Sequence, residues 1–94
     1  MKKKYYITTP IYYPSAKPHM GHAYSSISAD FIARYKRLEG YNVMFVTGTD
    51  EHGQKIQKSA DKRKLSPDIF CNEISKVFLD LTKTLNLSNT DFIR

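Results

Sequence analysis

Pro14-Ser15-Ala16-Lys17-Pro18-His19-Met20-Gly21-His22 sets two histidines around a glycine at the point where a loop turns into a helix. A helix start offers backbone N–H groups and the positive end of the helix dipole, which together suit a phosphate. Gly21 has no Cβ, so a flat ligand can approach the backbone there. Both imidazoles can donate hydrogen bonds to phosphate oxygens. The segment therefore reads as a nucleotide site.

The residues on either side place that site in a sheet. Upstream, Tyr5-Tyr6-Ile7-Thr8-Thr9-Pro10-Ile11-Tyr12-Tyr13 reads as a strand that opens directly into the loop before His19. Downstream, Val43-Met44-Phe45-Val46-Thr47-Gly48-Thr49-Asp50-Glu51-His52-Gly53 is an apolar run that ends in small, polar and charged residues. It reads as a buried strand with chemistry at its carboxyl end. In open α/β sheets, ligands bind outside the carboxyl ends of parallel strands. Both polar clusters thus follow strands, on a βαβ unit with a right-handed crossover.

The helix between the strands is expected from about Met20 to Leu38, ended by Gly40. Ile27, Phe31, Tyr35 and Leu38 recur at helical spacing. Ala23, Ala29, Ile32 and Ala33 widen what reads as the buried face. The second strand covers Asn42 to Thr47, and a short helix covers Lys55 to Ala60. A last helix starts at Ser66-Pro67-Asp68, where the serine caps and the proline fits the first turn. Its apolar stripe is Phe70, Ile74, Val77, Phe78, Leu81 and Leu85, with Asn86 and Ser88 marking the end. The order is strand, loop, helix, strand, helix, helix. Two parallel strands cannot bury both faces, and parallel sheets need cover on both sides. Asp91-Phe92-Ile93-Arg94 carries no turn or cap signal. Residues 1–94 are therefore expected to be the first part of a larger, doubly wound α/β domain.

The chain has 94 residues, enough for one small domain with a modest core. It holds no apolar run long enough to span a membrane. The three N-terminal lysines are not followed by the apolar stretch of a signal peptide. Cys71 is the single cysteine, which fits a cytoplasmic setting and inert packing on a helix. The net charge is +6, with basic clusters at Lys2–Lys4, at Arg34, Lys36 and Arg37, and at Lys62–Lys64. Such a surface favours anions such as ATP or RNA, although each individual cluster reads first as solvated surface charge, and the charge alone identifies no partner. His19 and His22 are also three apart, as zinc ligands can be. A zinc site needs further ligands, and only Asp50, His52 and Cys71 are available, so no metal is assigned to the pair.

His19-Met20-Gly21-His22 resembles the HIGH motif of class I aminoacyl-tRNA synthetases, with methionine in place of isoleucine. Taken with Thr8-Thr9-Pro10-Ile11-Tyr12-Tyr13 and Thr49-Asp50-Glu51-His52-Gly53-Gln54, it is similar to the N-terminus of bacterial methionyl-tRNA synthetases. Tyr35-Lys36-Arg37-Leu38-Glu39-Gly40-Tyr41 and Asp91-Phe92-Ile93-Arg94 extend the likeness over essentially the whole chain. The resemblance implies the N-terminal portion of a Rossmann-like, HUP-type parallel sheet. It also implies ATP-dependent activation of methionine to methionyl-adenylate, followed by transfer to tRNA(Met).

ATP would enter with Mg²⁺. Zinc occurs in some members, in a connective peptide beyond this chain, as do the KMSKS loop and the anticodon-binding domain. The remainder of a synthetase chain is thus an implied partner, and the 94 residues alone are expected to be largely inactive. The implied ATP residues are Lys17, His19, Gly21 and His22, with the two histidines catalytic. Those for methionine are the Ile11 carbonyl, Tyr13 and Asp50. His52 could contact ATP or tRNA. Another HIGH-type nucleotidyltransferase, or a non-catalytic nucleotide- or RNA-binding module, would share the histidines. Tyr13 and Asp50 are what point to methionine.

Overall fold

A computed structural model describes residues 2–14 and 17–94; Ser15 and Ala16, in the loop before His19, lie outside them. The elements are β1 (Lys4–Thr8), α1 (Met20–Leu38), β2 (Asn42–Gly48), α2 (Gln54–Lys62), α3 (Pro67–Thr84) and β3 (Asp91–Ile93). The strands form a parallel sheet in the order β1-β2-β3. Parallel strands flanked by helices make this a Rossmann-type, HUP-like arrangement.

β1 is shorter than its apolar run, which reaches Tyr13. Pro10 has no N–H to give to a ladder and breaks it. The chain rejoins the sheet at Tyr12, as an isolated parallel bridge to Thr49. β3 was not expected from the sequence at all. Three residues are too few to show a period, and the strand exists because β2 offers a free edge. Val46, Thr47 and Gly48 pair with Asp91, Phe92 and Ile93. The close approach requires Gly48, because a Cβ there would stand 2.0 Å from the Ile93 carbonyl oxygen.

Strand alternation separates the two faces of the sheet. Val43 and Phe45 are buried against Ala29 and Ala33 of α1, with Tyr5, Ile7 and Tyr41 around them. Phe92, on the same side by register, packs with Leu81 of α3 into a second core of Tyr12, Ile56, Ala60, Phe70, Cys71, Ile74 and Phe78. All three helices therefore lie over one face. The other face shows Tyr6, Met44 and Ile93 to solvent, at 63%, 50% and 58% exposure.

The orientation of α1 corrects the periodicity reading. Phe31 and Leu38 are 72% and 87% exposed, and Ile27, Ile32 and Tyr35 are exposed too. The buried positions are Ser26, Ala29, Asp30 and Ala33. Small residues let the helix approach the sheet closely. The two polar ones are buried because each has partners: Ser26 Oγ bonds the Tyr12 hydroxyl, and Asp30 is bonded by Ser88 and Arg34. Hydropathy sees neither reason.

Asp30 also explains a basic cluster. Its carboxylate accepts from the Ser88 N–H at 2.8 Å and from Arg34 Nε at 2.9 Å. Arg34 reaches the Asn86 carbonyl at 2.6 Å, and Arg37 reaches the Ser88 carbonyl at 2.9 Å. These arginines tie α1 to the segment after α3. Burial alone would raise the Asp30 pKa, but the bonds from Ser88 and Arg34 outweigh it and hold the carboxyl below its ordinary value.

Candidate active site

His19 is the N-cap of α1, in extended conformation. Its Nδ1 accepts from the Gly21 N–H at 3.0 Å, and the His19 N–H donates to Nδ1 of His22 at 3.0 Å. The pair forms a reciprocal capping box. His22 N and Ala23 N both donate to the His19 carbonyl, at 3.0 and 3.3 Å. The N–H groups of the first turn, expected to be free for a phosphate, are therefore partly engaged by the cap. What remains available to an anion there is the positive end of the helix dipole.

Gly21 has a local duty besides any ligand. A Cβ on it would sit 2.8 Å from His19 Cε1, so glycine is what lets the His19 ring fold back onto the helix start. The His22 ring stands edge-on to Tyr12 and to Phe78, at 5.7 and 5.0 Å between centroids. Tyr12 and Phe78 stack at 4.9 Å. Burial of its ring, and then the neighbouring His19, hold His22 below the ordinary imidazole pKa.

Asp50 follows β2 and is half-buried. The N-cap of the next helix is Gly53, which makes no side-chain cap bond, so Asp50 does not cap that helix. The Asp50 carboxylate is free of that duty. It lines a cavity of about 740 Å³ together with Ile11, His52, Asp68, Asn72 and Arg94. Ile11 and Asp50 thus share one cavity at the carboxyl ends of the strands. Tyr13 stands beside it and donates its hydroxyl to the His52 carbonyl at 2.7 Å, joining the two loops. Gly53 makes room for that phenol: at φ +129°, a Cβ would meet the hydroxyl at 2.3 Å. Lys17 is placed elsewhere, on a groove between α2 and α3 with Lys62, Arg63 and Glu73. Among the described residues, no three His, Cys, Asp or Glu side chains converge on a metal position. No described helix is long and apolar enough to cross a membrane.

Several residues of the site were not singled out from sequence. Tyr12 looked like strand packing, yet it touches both clusters. Glu51 receives Arg94 in a two-pronged bond at 2.9 and 2.7 Å, and the Thr49 hydroxyl at 2.6 Å. The Arg94 bond, against the cost of burial, and then Thr49 lower the Glu51 pKa to about 2. Its place beside Asp50 was the one available signal. Nothing in the sequence pairs it with a residue 43 positions away.

The family described as "tRNA synthetases class I (M)" matches residues 5–94. The methionine–tRNA ligase of Listeria monocytogenes is 58% identical over 93 residues, which are 99% of this chain and 14% of that protein. That of Rickettsia felis is 54% identical over 94 residues, 18% of its length. Among solved structures, the Mycobacterium tuberculosis methionyl-tRNA synthetase in complex with methionyl-adenylate superimposes with a TM-score of 0.96 at 48% identity. The match takes in 98% of this chain and 18% of that one.

Proposed function

Because the chain belongs to the methionyl-tRNA synthetase family of class I, we propose that it supplies the first half of a methionine-activating site. The reaction is attack of the methionine carboxylate on the α-phosphorus of ATP, with loss of pyrophosphate. The ribose hydroxyl at the tRNA(Met) end then takes the methionyl group and AMP leaves. The observation that carries this reading is the near-complete superposition, at 48% identity, on a synthetase holding methionyl-adenylate.

The parts have separable tasks. His19 and His22 donate to the ATP phosphates and to the charge that grows during displacement, as fixed donors aimed at a transition state. Gly21 lets adenine lie against the backbone. Mg²⁺ arrives with ATP. Asp50 pairs with the methionine ammonium, a charge-assisted contact, and the Ile11 carbonyl accepts from the same group. Tyr13 walls the side-chain pocket. The bare sheet face with Tyr6, Met44 and Ile93 is where the remainder of a synthetase would pack, completing the doubly wound domain.

A chimera tests this. Residues 1–94 replace the matching segment of the Listeria ligase, and methionine-dependent ATP–pyrophosphate exchange is measured. Exchange near the parental rate supports the assignment. A folded chimera that binds ATP but ignores methionine would leave only the reading as another HIGH-type nucleotidyltransferase.

A further inference from the structure

We propose that Glu51 is a positioning residue for methionine: clamped by Arg94, it holds the turn that carries Asp50 and leaves Asp50 as the carboxylate the cavity offers to the substrate ammonium. The ammonium half of this inference rests on the methionine reading above.

The cavity at the carboxyl ends of the strands has three carboxylates on its wall, those of Asp50, Glu51 and Asp68. An ammonium entering it meets all three, so the surroundings must choose between them. Asp68 sits in the first turn of α3, against the positive end of that helix dipole. Glu51 is already paired with Arg94. Its Oε2 accepts from Arg94 Nε at 2.9 Å and from the Thr49 hydroxyl at 2.6 Å, and its Oε1 accepts from Arg94 Nη2 at 2.7 Å. A two-pronged guanidinium–carboxylate pair is the strong kind of ion pair, and the Glu51 side chain is only 15% exposed. Asp50 forms no ion pair among the described residues.

The same bonds hold the chain in place. Arg94 Nη2 also donates to Oδ1 of Asn72 on α3, at 2.8 Å. Cys71, beside it on α3, sets its thiol 3.7 Å from the Glu51 carbonyl. Before Asp50, the Thr49 N–H donates to the Ile93 carbonyl at 2.9 Å. The turn is thus tied to β3 on one side of Asp50 and to α3 on the other, while the Asp50 carboxylate is left for a ligand. Removing the Glu51 charge does more than loosen this turn. It leaves the Arg94 cation unpaired in the same cavity, where it attracts Asp50 and repels an incoming ammonium.

The chimera tests this by steady-state ATP–pyrophosphate exchange. Glu51→Gln should raise KM for methionine roughly tenfold or more. KM for ATP and kcat should change little, because the ammonium contact is the same before and during displacement. Glu51→Gln combined with Arg94→Gln removes both charges and should recover most of the loss. The ion pair is missing from the single and the double variant alike, so lost stability cannot produce that recovery. An unchanged KM for methionine, both KM values rising together, or a double variant no better than the single one would overturn the proposal. Hydrogen exchange over residues 49–53 reads the clamp without activity. Arg94→Gln should speed it while α1 keeps its protection, and equal protection overturns the clamp. Faster exchange in a chimera that ignores methionine would keep the clamp and sink the methionine reading instead.

Discussion

The Asp50 N–H donates to the Tyr12 carbonyl at 2.7 Å. The same tyrosine lays its ring against His22 and bonds Ser26 one turn further along α1. One buried residue between Ile11 and Tyr13 thereby links the paired histidines at the head of α1 to the loop at the end of β2 that carries Asp50.

Tyr12→Phe removes only the hydroxyl. Ser26 is fully buried, and its Oγ then loses its partner. An unpaired buried polar group costs about 1–3 kcal/mol. Denaturant titration should show that loss, and Ser26→Ala added to Tyr12→Phe should recover part of it. A single variant as stable as the parent would remove the bond from the account.

Gly48→Ala should detach β3. The added methyl meets the Ile93 carbonyl, and backbone cannot move aside as a side-chain tip can. The Thr49 N–H, which donates to that carbonyl at 2.9 Å, should exchange with solvent far faster. Unchanged protection at Thr49 would mean that β3 is not held this way.

Phe31→Ser and Leu38→Ser should each change stability by no more than about 0.5 kcal/mol, the usual range for exposed sites. Ala33→Leu should cost about 1–3 kcal/mol by overpacking, because Ala33 is fully buried against β2. The reverse ranking in a urea titration would show that α1 faces the sheet with its large apolar side.

Acid should destabilise the chain through Glu51 and Asp30. Glu51 falls from an ordinary 4.5 to about 2, and Asp30 is also lowered. Carboxyls with depressed folded values contribute stability above their unfolded pKa, and lose it as pH drops through the folded one. His22, also lowered, acts in the same direction, beginning below its ordinary 6.5. Unfolding midpoints measured from pH 7 to pH 2 should fall throughout. Glu51→Gln should flatten the decline below about pH 4.5. An identical slope in the variant would exclude the Arg94 pair as a cause.

Much of this molecule could be read directly. Gly40 ends α1 at φ +90°, and Ser66 with Pro67 starts α3, because caps and breakers act on their own backbone. The first two strands, the helix between them and the placing of His19, Gly21, His22 and Asp50 were legible for the same reason: each signal is local. The face of α1 was not. Polar Ser26 and Asp30 went inside and Phe31 stayed out, since burial depends on partners that approach from Tyr12 and Ser88.

The sequence by itself determined the order of the elements from β1 to α3, the helix ends and the histidine–glycine–histidine head of α1, which are properties of neighbouring residues. Only the tertiary structure decided that β3 exists, that Arg34 and Arg37 serve as internal ties, that Glu51 takes Arg94, and that Tyr12 joins the two halves of the site. Those are pairings between residues far apart in the chain. Their energies arise when the fold brings donor to acceptor and ring to ring, and no local pattern encodes them.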